Sequence, residues 1–217
     1  CTCTYATAAA SGTGTGTRLA LASADTTQIY AGNSTSGAYF WGVQQEAGQF
    51  ASSYIPTTTI AVSRTADSCI RTLGSEFSAT AGTVVVAGRA SGGQDAATLQ
   101  AVYEFNDGGG SNRITLIRPA ASDAARFNVF NAGVGQGPAD GAFVNSAAYK
   151  SAAVWATNDI AQSFNGGAVV SDATATIPAG ITLLDIGSQI TSNQANGHIL
   201  RFDYWPTRQT NAFLVSA

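Results

Sequence analysis

The sequence predicts an all-β protein. Short runs of β-branched and aromatic residues recur along its 217 residues, and Gly, Asn, Asp or Pro separates one run from the next. This pattern is typical of a sandwich or a barrel. No stretch predicts a long helix, because the Ala-rich run 6–10 is short and is followed by Gly12, Gly14 and Gly16.

The first 59 residues hold too few strands for a complete sandwich. The strands predicted there are Cys3–Ala8, Thr17–Ala22, Thr27–Ala31 and Ala38–Gln44. We interpret residues 1–59 as the C-terminal part of a jelly-roll domain, with the remainder upstream of Cys1. Because such a fragment leaves sheet edges unpaired, we expect it to pack on the second domain or on neighbouring subunits. Residues 60–74 are then the linker or the first strand of that domain.

Residues 75–217 supply enough strands for a full sandwich. The predicted strands are Glu76–Ala79, Thr83–Ala90, Thr98–Asn106, Asn112–Arg118, Arg126–Asn131, Tyr149–Thr157, Ile160–Phe164, Ala168–Val170, Leu183–Ile186 and Gly197–Tyr204. Asp107-Gly-Gly-Gly110 and Asn165-Gly166 predict tight hairpin turns, because these residues accept positive φ angles. Alternation of apolar and polar residues over 98–105 predicts a strand with one buried face and one mostly wet face.

Two segments of this second domain resemble the laminin-G and concanavalin A-like family. The strand Ser151-Ala-Ala-Val-Trp-Ala156, the Asn165-Gly166 turn and Leu183-Leu-Asp-Ile-Gly187 follow one another as in that family. The ending Asn196-Gly-His-Ile-Leu-Arg-Phe-Asp-Tyr-Trp-Pro-Thr-Arg208 resembles its closing strand. The resemblance implies a β-sandwich for residues 75–217, with residues 209–215 in place of the family's usual short terminal helix.

The junction between the two predicted domains carries a second resemblance. Tyr39-Phe-Trp-Gly-Val-Gln-Gln-Glu-Ala-Gly-Gln-Phe-Ala-Ser-Ser-Tyr-Ile-Pro-Thr, followed by Ser63-Arg-Thr-Ala-Asp67, is similar to a segment of bacteriophage tail-fibre and spike proteins. The resemblance implies a structural or adhesive part of a virion appendage. Its expected partners are other copies of the chain in a homotrimer, other virion proteins and a host surface polysaccharide.

The composition agrees with a virion or extracellular part. Charged residues make up 11% of the chain, against the usual quarter, while hydrophobic residues make up 45%. The net charge is −3, and Lys and Arg form no cluster, so we expect no nucleic-acid partner. No apolar run has the length of a membrane span, so we expect no membrane insertion.

The residue types give no strong sign of catalysis. A Ser-His-Asp triad would need His198, the single histidine, and no Gly-x-Ser-x-Gly sequence accompanies it. Glycosidases of this fold place two acids on one strand face, whereas the nearest acids here, Glu104 and Asp107, straddle a predicted turn. We therefore predict no catalytic residue. The alternatives are a polysaccharide-degrading domain that uses Glu104, Asp107 and Asp159, and a purely structural decoration protein.

A glycan site needs aromatic rings and polar side chains on accessible positions. The candidates are Tyr103, Tyr204, Trp205, Asn158 and Asp159, although core packing by itself explains each ring better. We expect no cofactor, with calcium as a candidate at a rim of Asp and Asn oxygens: Asp95, Asn106, Asp107, Asn158, Asp159 and Asp185.

The odd count of three cysteines favours reduced thiols, and a bridge to Cys69 is the alternative.

Overall fold

The computed structural model divides the chain into two compact units, Cys1–Arg64 and Thr65–Ala217. It describes residues 41–42, 54–56, 59–60, 62, 67–90, 98–120, 122–137, 139–144, 147–190, 192–195 and 197–217. The predicted jelly-roll strands of residues 1–59 therefore lie outside the described residues, apart from Trp41 and Gly42, which are in neither strand nor helix. The domain boundaries predicted from sequence remain predictions.

The second unit is built from twelve strands and one short helix among its described residues. In chain order they are β1 (Ile70–Thr72), β2 (Ala81–Ala90), β3 (Gln100–Asn106), β4 (Arg113–Arg118), β5 (Ala124–Asn131), β6 (Val134–Gln136), β7 (Ala139–Ala142), β8 (Ala148–Ala156), β9 (Asp159–Phe164), β10 (Val170–Asp172), β11 (Leu183–Ile186), β12 (Gly197–Trp205) and α1 (Asn211–Ser216).

These strands form two antiparallel sheets. The seven-stranded sheet has the order β1-β11-β3-β4-β5-β6, and β7 also pairs with β5. The five-stranded sheet has the order β10-β9-β8-β2-β12. Both sheets mix strands from the two halves of the unit, so the pairing depends on contacts that are distant in sequence.

The hydrophobic core lies between the two sheets and is rich in aromatic rings. Trp155 on β8 and Phe105 on β3 are almost fully buried, and their ring centroids are 5.6 Å apart. A Cβ atom on Gly82 would lie 2.2 Å from the Trp155 ring. The indole therefore fills the space that the missing side chain of Gly82 leaves, and a larger residue there would force the ring to move.

The outer face of the five-stranded sheet is covered by the end of the chain. Leu214 on α1 is buried against Val85, Val154 and their neighbours, and Phe213 packs on Trp205. The Thr210 hydroxyl accepts a hydrogen bond from the Phe213 amide at 3.2 Å, which caps the helix at its N-terminus. The expectation that residues 209–215 replace a terminal helix was therefore wrong.

Most predicted strands of the second unit are confirmed within one or two residues, one is wrong, and two observed strands were not predicted. Glu76–Ala79 is not a strand, because the Phe77 amide bonds the Gly74 carbonyl at 3.1 Å and closes a turn. Strand β1 lies instead within residues 60–74, where it pairs with β11. Strands β6 and β7 were not predicted, since their short sequences contain Gly and few β-branched residues.

The two predicted hairpin turns are confirmed. Asn165 and Gly166 both have positive φ angles, 52° and 71°, as a type I′ turn requires. The Gly167 amide closes this turn on the Phe164 carbonyl at 3.0 Å. The Asp107–Gly110 segment joins β3 to β4, which pair in antiparallel register.

Strand β3 differs from the predicted half-wet strand because it is buried on both faces. Its pairing with β4 shifts between Ala101 and Tyr103, and both Val102 and Tyr103 belong to the core between the sheets. Glu104 and Asn106 point away from that core, yet they too are buried. The polar face of this strand is therefore enclosed.

Three smaller points concern His198, the cysteines and the length of the helices. His198 lies exposed on β12, as a surface histidine should. Cys69 is an exposed free thiol, whereas Cys1 and Cys3 lie outside the described residues. Among those residues, no helix has the length and apolar character needed to cross a membrane.

Candidate functional site

The outer face of the seven-stranded sheet is the polar surface of this sandwich. Cross-strand pairing places Thr115 opposite both Glu104 and Asn128, and Asp185 opposite Glu104. Paired residues of antiparallel strands point to the same side, so β11, β3, β4 and β5 present one continuous polar row. On the five-stranded sheet, part of the outer face is packed against Leu214.

Two acids face each other in this row. Glu104 on β3 and Asp185 on β11 are Cα partners, and both are essentially inaccessible to solvent. The Asp185 Oδ2 atom accepts a hydrogen bond from Asn106 Nδ2 at 2.6 Å. The Glu104 Oε2 atom accepts one from Gln189 Nε2, also at 2.6 Å. The remaining oxygens, Glu104 Oε1 and Asp185 Oδ1, have no hydrogen-bond partner.

The electrostatic surroundings favour a neutral Glu104. Burial, with a smaller effect of nearby Asp185 and Asp107, raises the pKa of its carboxyl to about 7. The hydrogen bond from Gln189 and the charge of Arg113 act in the opposite direction, lowering the pKa, but they do not compensate. Glu104 is thus a carboxyl group that takes up a proton near neutral pH.

An arginine and an aromatic ring lie beside the acids. The Arg113 guanidinium carbon is 4.0 Å from the centre of the Phe130 ring, a cation–π geometry. Arg113 Nε is 3.8 Å from Glu104 Oε2, which is too far for a hydrogen bond. Opposite Phe130, Gly135 has no side chain, and a Cβ atom there would lie 2.9 Å from the ring. The Phe130 ring therefore lies over Gly135, close to the backbone of the sheet.

The chain from Gly187 to Ala195 closes one side of this face. The Gly187 amide bonds the Val102 carbonyl and the Ala101 amide bonds the Asn193 carbonyl, both at 2.8 Å. Asn193 Nδ2 donates to Gln189 Oε1 at 2.8 Å, which orients the Gln189 amide so that Nε2 points to Glu104. No local sequence pattern indicated this arrangement, because the arrangement depends on pairing between segments that are distant in sequence.

The predicted aromatic candidates do not lie on this face. Tyr103 is fully buried between the sheets, with the Phe202 and Phe105 ring centroids 5.5 and 6.0 Å away. It is therefore unavailable for a surface ligand, and core packing is its role. Tyr204 also faces the core, where its ring stacks on Phe77, and its hydroxyl accepts the Ser78 amide at 2.8 Å.

The other three candidates belong to the five-stranded sheet. Trp205 packs against Phe213 of α1 at 5.3 Å. Asn158 is exposed in the β8–β9 turn with a φ of 58°. Asp159 accepts two hydrogen bonds from Arg208, each 2.9 Å long, so its carboxylate serves to hold the C-terminal segment. The five predicted residues are not gathered into one site.

The described residues contain no group of three or more His, Cys, Asp or Glu side chains that could hold a metal ion. Of the calcium candidates, Asp107 accepts hydrogen bonds from Asn112 and from the Gly109 amide, as a turn-forming residue does. Asp95 lies outside the described residues.

A cleft lined by Arg89, Arg118 and His198 at one end of the sandwich measures about 20 Å³, which is room for about one water molecule.

Comparison with solved structures shows which fold this is. The carbohydrate-binding module CBM40 of the Ruminococcus gnavus IT-sialidase, bound to α2,3-sialyllactose, matches with a TM-score of 0.53 and 12% identity over 64% of this chain and 83% of that chain. The second unit is a concanavalin A-like, lectin-like β-sandwich. No protein-family model matches the sequence, and no curated protein matches it.

Two larger proteins contain the same fold. The NanB sialidase of Streptococcus pneumoniae matches with a TM-score of 0.54 and 15% identity over 65% of this chain and 24% of its own. A leech intramolecular trans-sialidase matches with a TM-score of 0.54 and 11% identity over 64% of this chain and 23% of its own. The chain spans about a quarter of each sialidase, and these identities relate the fold alone.

Proposed function

We propose that this lectin-like sandwich is a non-catalytic glycan-binding domain whose ligand lies on the outer face of the seven-stranded sheet. The observation that carries the proposal is the contrast between the two outer faces. The outer face of the five-stranded sheet is partly covered by Leu214 and Phe213, while the other presents charged and amide side chains around the Arg113–Phe130 pair. A sugar ring needs such polar donors and acceptors together with an apolar surface.

The half-buried residues of β4 and β5 supply this chemistry. Arg126 and Asn128 lie on the same side of β5 as Phe130, since Phe127 and Val129 between them face the core. The guanidinium groups of Arg113 and Arg126 donate hydrogen bonds, and the Asn128 amide both donates and accepts. Glu104 and Asp185 are buried on the same side of the sheet.

The biological setting we propose is a bacteriophage virion, in a tail fibre or spike. It is supported by the resemblance of the junction from Tyr39 to Asp67, and by the low share of charged residues. A homotrimer attached to other virion proteins would present three such faces to a host polysaccharide. Weak single sites then give strong attachment through multivalency.

A glycan array probed with the full chain, alongside a measurement of its mass in solution, tests this proposal. Trimers that bind a bacterial surface polysaccharide are the expected result. A stable monomer that binds no glycan would contradict the adhesin. Trimers without any glycan ligand would instead favour a structural decoration protein.

One observation favours a second candidate, a polysaccharide-degrading domain. Glu104 and Asp185 form a facing pair of acids that the sequence did not reveal, and one of them takes up a proton near neutral pH, as a glycosidase acid does. Against it, neither carboxyl is accessible to solvent. The test is the release of reducing ends from the bound polysaccharide. Release that is lost in Glu104→Gln and in Asp185→Asn, but retained in Asp159→Asn, would establish the enzyme. It would also refute the non-catalytic proposal.

A further inference from the structure

The acids Glu104 and Asp185 leave two hydrogen-bond acceptors without donors in an enclosed place. Each carboxyl uses one oxygen, Oε2 with Gln189 and Oδ2 with Asn106. The other two, Oε1 and Oδ1, are buried and unpartnered. Buried polar atoms are almost always hydrogen-bonded. Because the residues are direct cross-strand partners, one donor between them would satisfy both atoms.

The charged groups around the pair do not supply that donor. On β4, Arg113 faces Glu104 Oε2 at 3.8 Å rather than the unpartnered Oε1. In the β3–β4 turn, Asp107 adds a further negative charge. On β1, Arg71 is exposed and bonded to Glu76, and Ile70 is the residue opposite Asp185. The segment from Gly187 to Ala195 contributes amides and hydroxyls, with no titratable side chain in its sequence.

We propose that the missing donor is a proton held by the pair: Glu104 is a carboxylic acid whose Oε1–H donates to Asp185 Oδ1. When that proton leaves to solvent, the O–H···O bond is lost and two carboxylates face each other. Glu104 then turns from Asp185 toward Arg113, whose Nε has no hydrogen-bond partner and needs to approach by less than an ångström to donate. The pair is a two-position switch set by pH.

Two independent features agree with this assignment. Oε2 and Oδ2 accept from amide donors and are the oxygens expected to lack the proton, and Oε1 and Oδ1 are the ones without a partner. The pKa of Glu104, raised to about 7 by burial and by its acidic neighbours, places the change near neutral pH. The two buried, unpartnered oxygens on paired residues point to the proton, and the pKa indicates when it leaves.

The switch bears on ligand binding through Arg113. In the protonated state its guanidinium stacks on Phe130, whereas an ion pair with Glu104 would draw it across the face toward β3. This consequence rests on the proposed function, since it supposes that a glycan contacts Arg113 and Phe130. The proton itself does not, and it is measured without a ligand.

Carbon-13 NMR of the side-chain carboxyls, recorded on the ligand-free full chain from pH 4 to 9, tests the inference. We expect Glu104 to titrate near pH 7, with the Asp185 carboxyl signal moving in the same step. Glu104 titrating near pH 4.5, the ordinary value for a glutamate, would overturn it. So would an Asp185 signal that stays still while Glu104 titrates.

Two variants keep the test independent of any one substitution. Asp185→Asn removes the neighbouring negative charge and should lower the midpoint of Glu104. An unchanged midpoint would refute the pairing. Glu104→Gln should abolish the step at Asp185, whereas the matched control Asp203→Asn, an acid bonded to Arg201 on the opposite sheet, should leave it in place. A glycan array without hits would refute the proposed function and leave this titration unaffected.

Discussion

Glu104 and Asp185 are cross-strand partners on β3 and β11, and each has one buried carboxyl oxygen without a hydrogen-bond partner. Acids placed so close inside a protein repel each other when both are ionised. Their position on the polar face of the seven-stranded sheet therefore links the protonation of the protein to its stability and to the surface we propose as the ligand site.

The first prediction concerns stability against pH. Folding raises the pKa of Glu104 from 4.5 to about 7, so the folded state binds this proton more tightly than the unfolded state. The stabilisation is complete below pH 4.5 and is lost as the pH rises through 7. We expect the free energy of unfolding in urea to fall across this window, and Glu104→Gln to remove the fall.

Glu76→Gln is the control for this measurement. Glu76 is exposed, and backbone hydrogen bonds lower its pKa, so its titration lies below the window. The control should follow the unaltered protein between pH 5 and 8. Equal slopes for the unaltered protein and Glu104→Gln would show that Glu104 is not the responsible group.

The second prediction concerns the helix that covers the five-stranded sheet. Leu214 is buried on Val85 and Val154, so Leu214→Ala should lower the free energy of unfolding by about 2–5 kcal/mol, the range for large-to-small changes in a core. Val215→Ala, at a neighbouring exposed position, should change it by less than about 0.5 kcal/mol. Similar losses for both variants in chemical denaturation would mean that α1 does not pack as described.

The third prediction concerns the contact of Gly82 with Trp155. A methyl group on Gly82 would overlap the indole, so Gly82→Ala should destabilise the protein by about 1–3 kcal/mol, the usual loss on overpacking a core. Its matched control is Gly110→Ala, where the nearest atom to a new Cβ, at the end of Arg113, is 3.5 Å away. Thermal unfolding of the two variants compares them, and a Gly82→Ala protein as stable as the control would contradict the packing.

The fourth prediction concerns Arg208 and Asp159. Arg208 makes two parallel hydrogen bonds to the Asp159 carboxylate, a geometry that lysine cannot reproduce. Because Asp159 is 46% exposed, solvent screens the pair, and Arg208→Lys should lower the stability by about 1 kcal/mol or less. The double variant with Asp159→Asn and Arg208→Lys should then lose little more stability than Arg208→Lys alone. Additive losses in urea unfolding would indicate that the two side chains act independently.

Local sequence patterns predicted those parts of the fold that depend on neighbouring residues. Asn165-Gly166 indicated a type I′ turn because both positions need positive φ angles, and Leu183–Ile186 indicated a strand through its apolar run. The closing strand from Gly197 was likewise predicted. Helix α1 was missed, because only six residues form it and its stability comes from burial of Leu214 rather than from helix propensity.

The candidate site depended on pairing between distant segments and was largely missed. A search for two acids on one strand could not find Glu104 and Asp185, which come together only when β11 pairs with β3. Tyr103 was a candidate as one of the chain's aromatic residues, but it belongs to the core between the sheets. Arg113 and Phe130 lie far apart in sequence and gave no local signal.

The affinity of an array-identified glycan for Arg113→Ala tests the central claim most directly, with Arg201→Ala as the matched control. Arg201 is an exposed arginine on β12 of the other sheet, bonded to Asp203. If the ligand lies on the outer face of the seven-stranded sheet, calorimetry should show affinity reduced about tenfold or more in Arg113→Ala, a loss of about 1.4 kcal/mol, and unchanged in Arg201→Ala. Full affinity in Arg113→Ala, or an equal loss in both variants, would contradict the account.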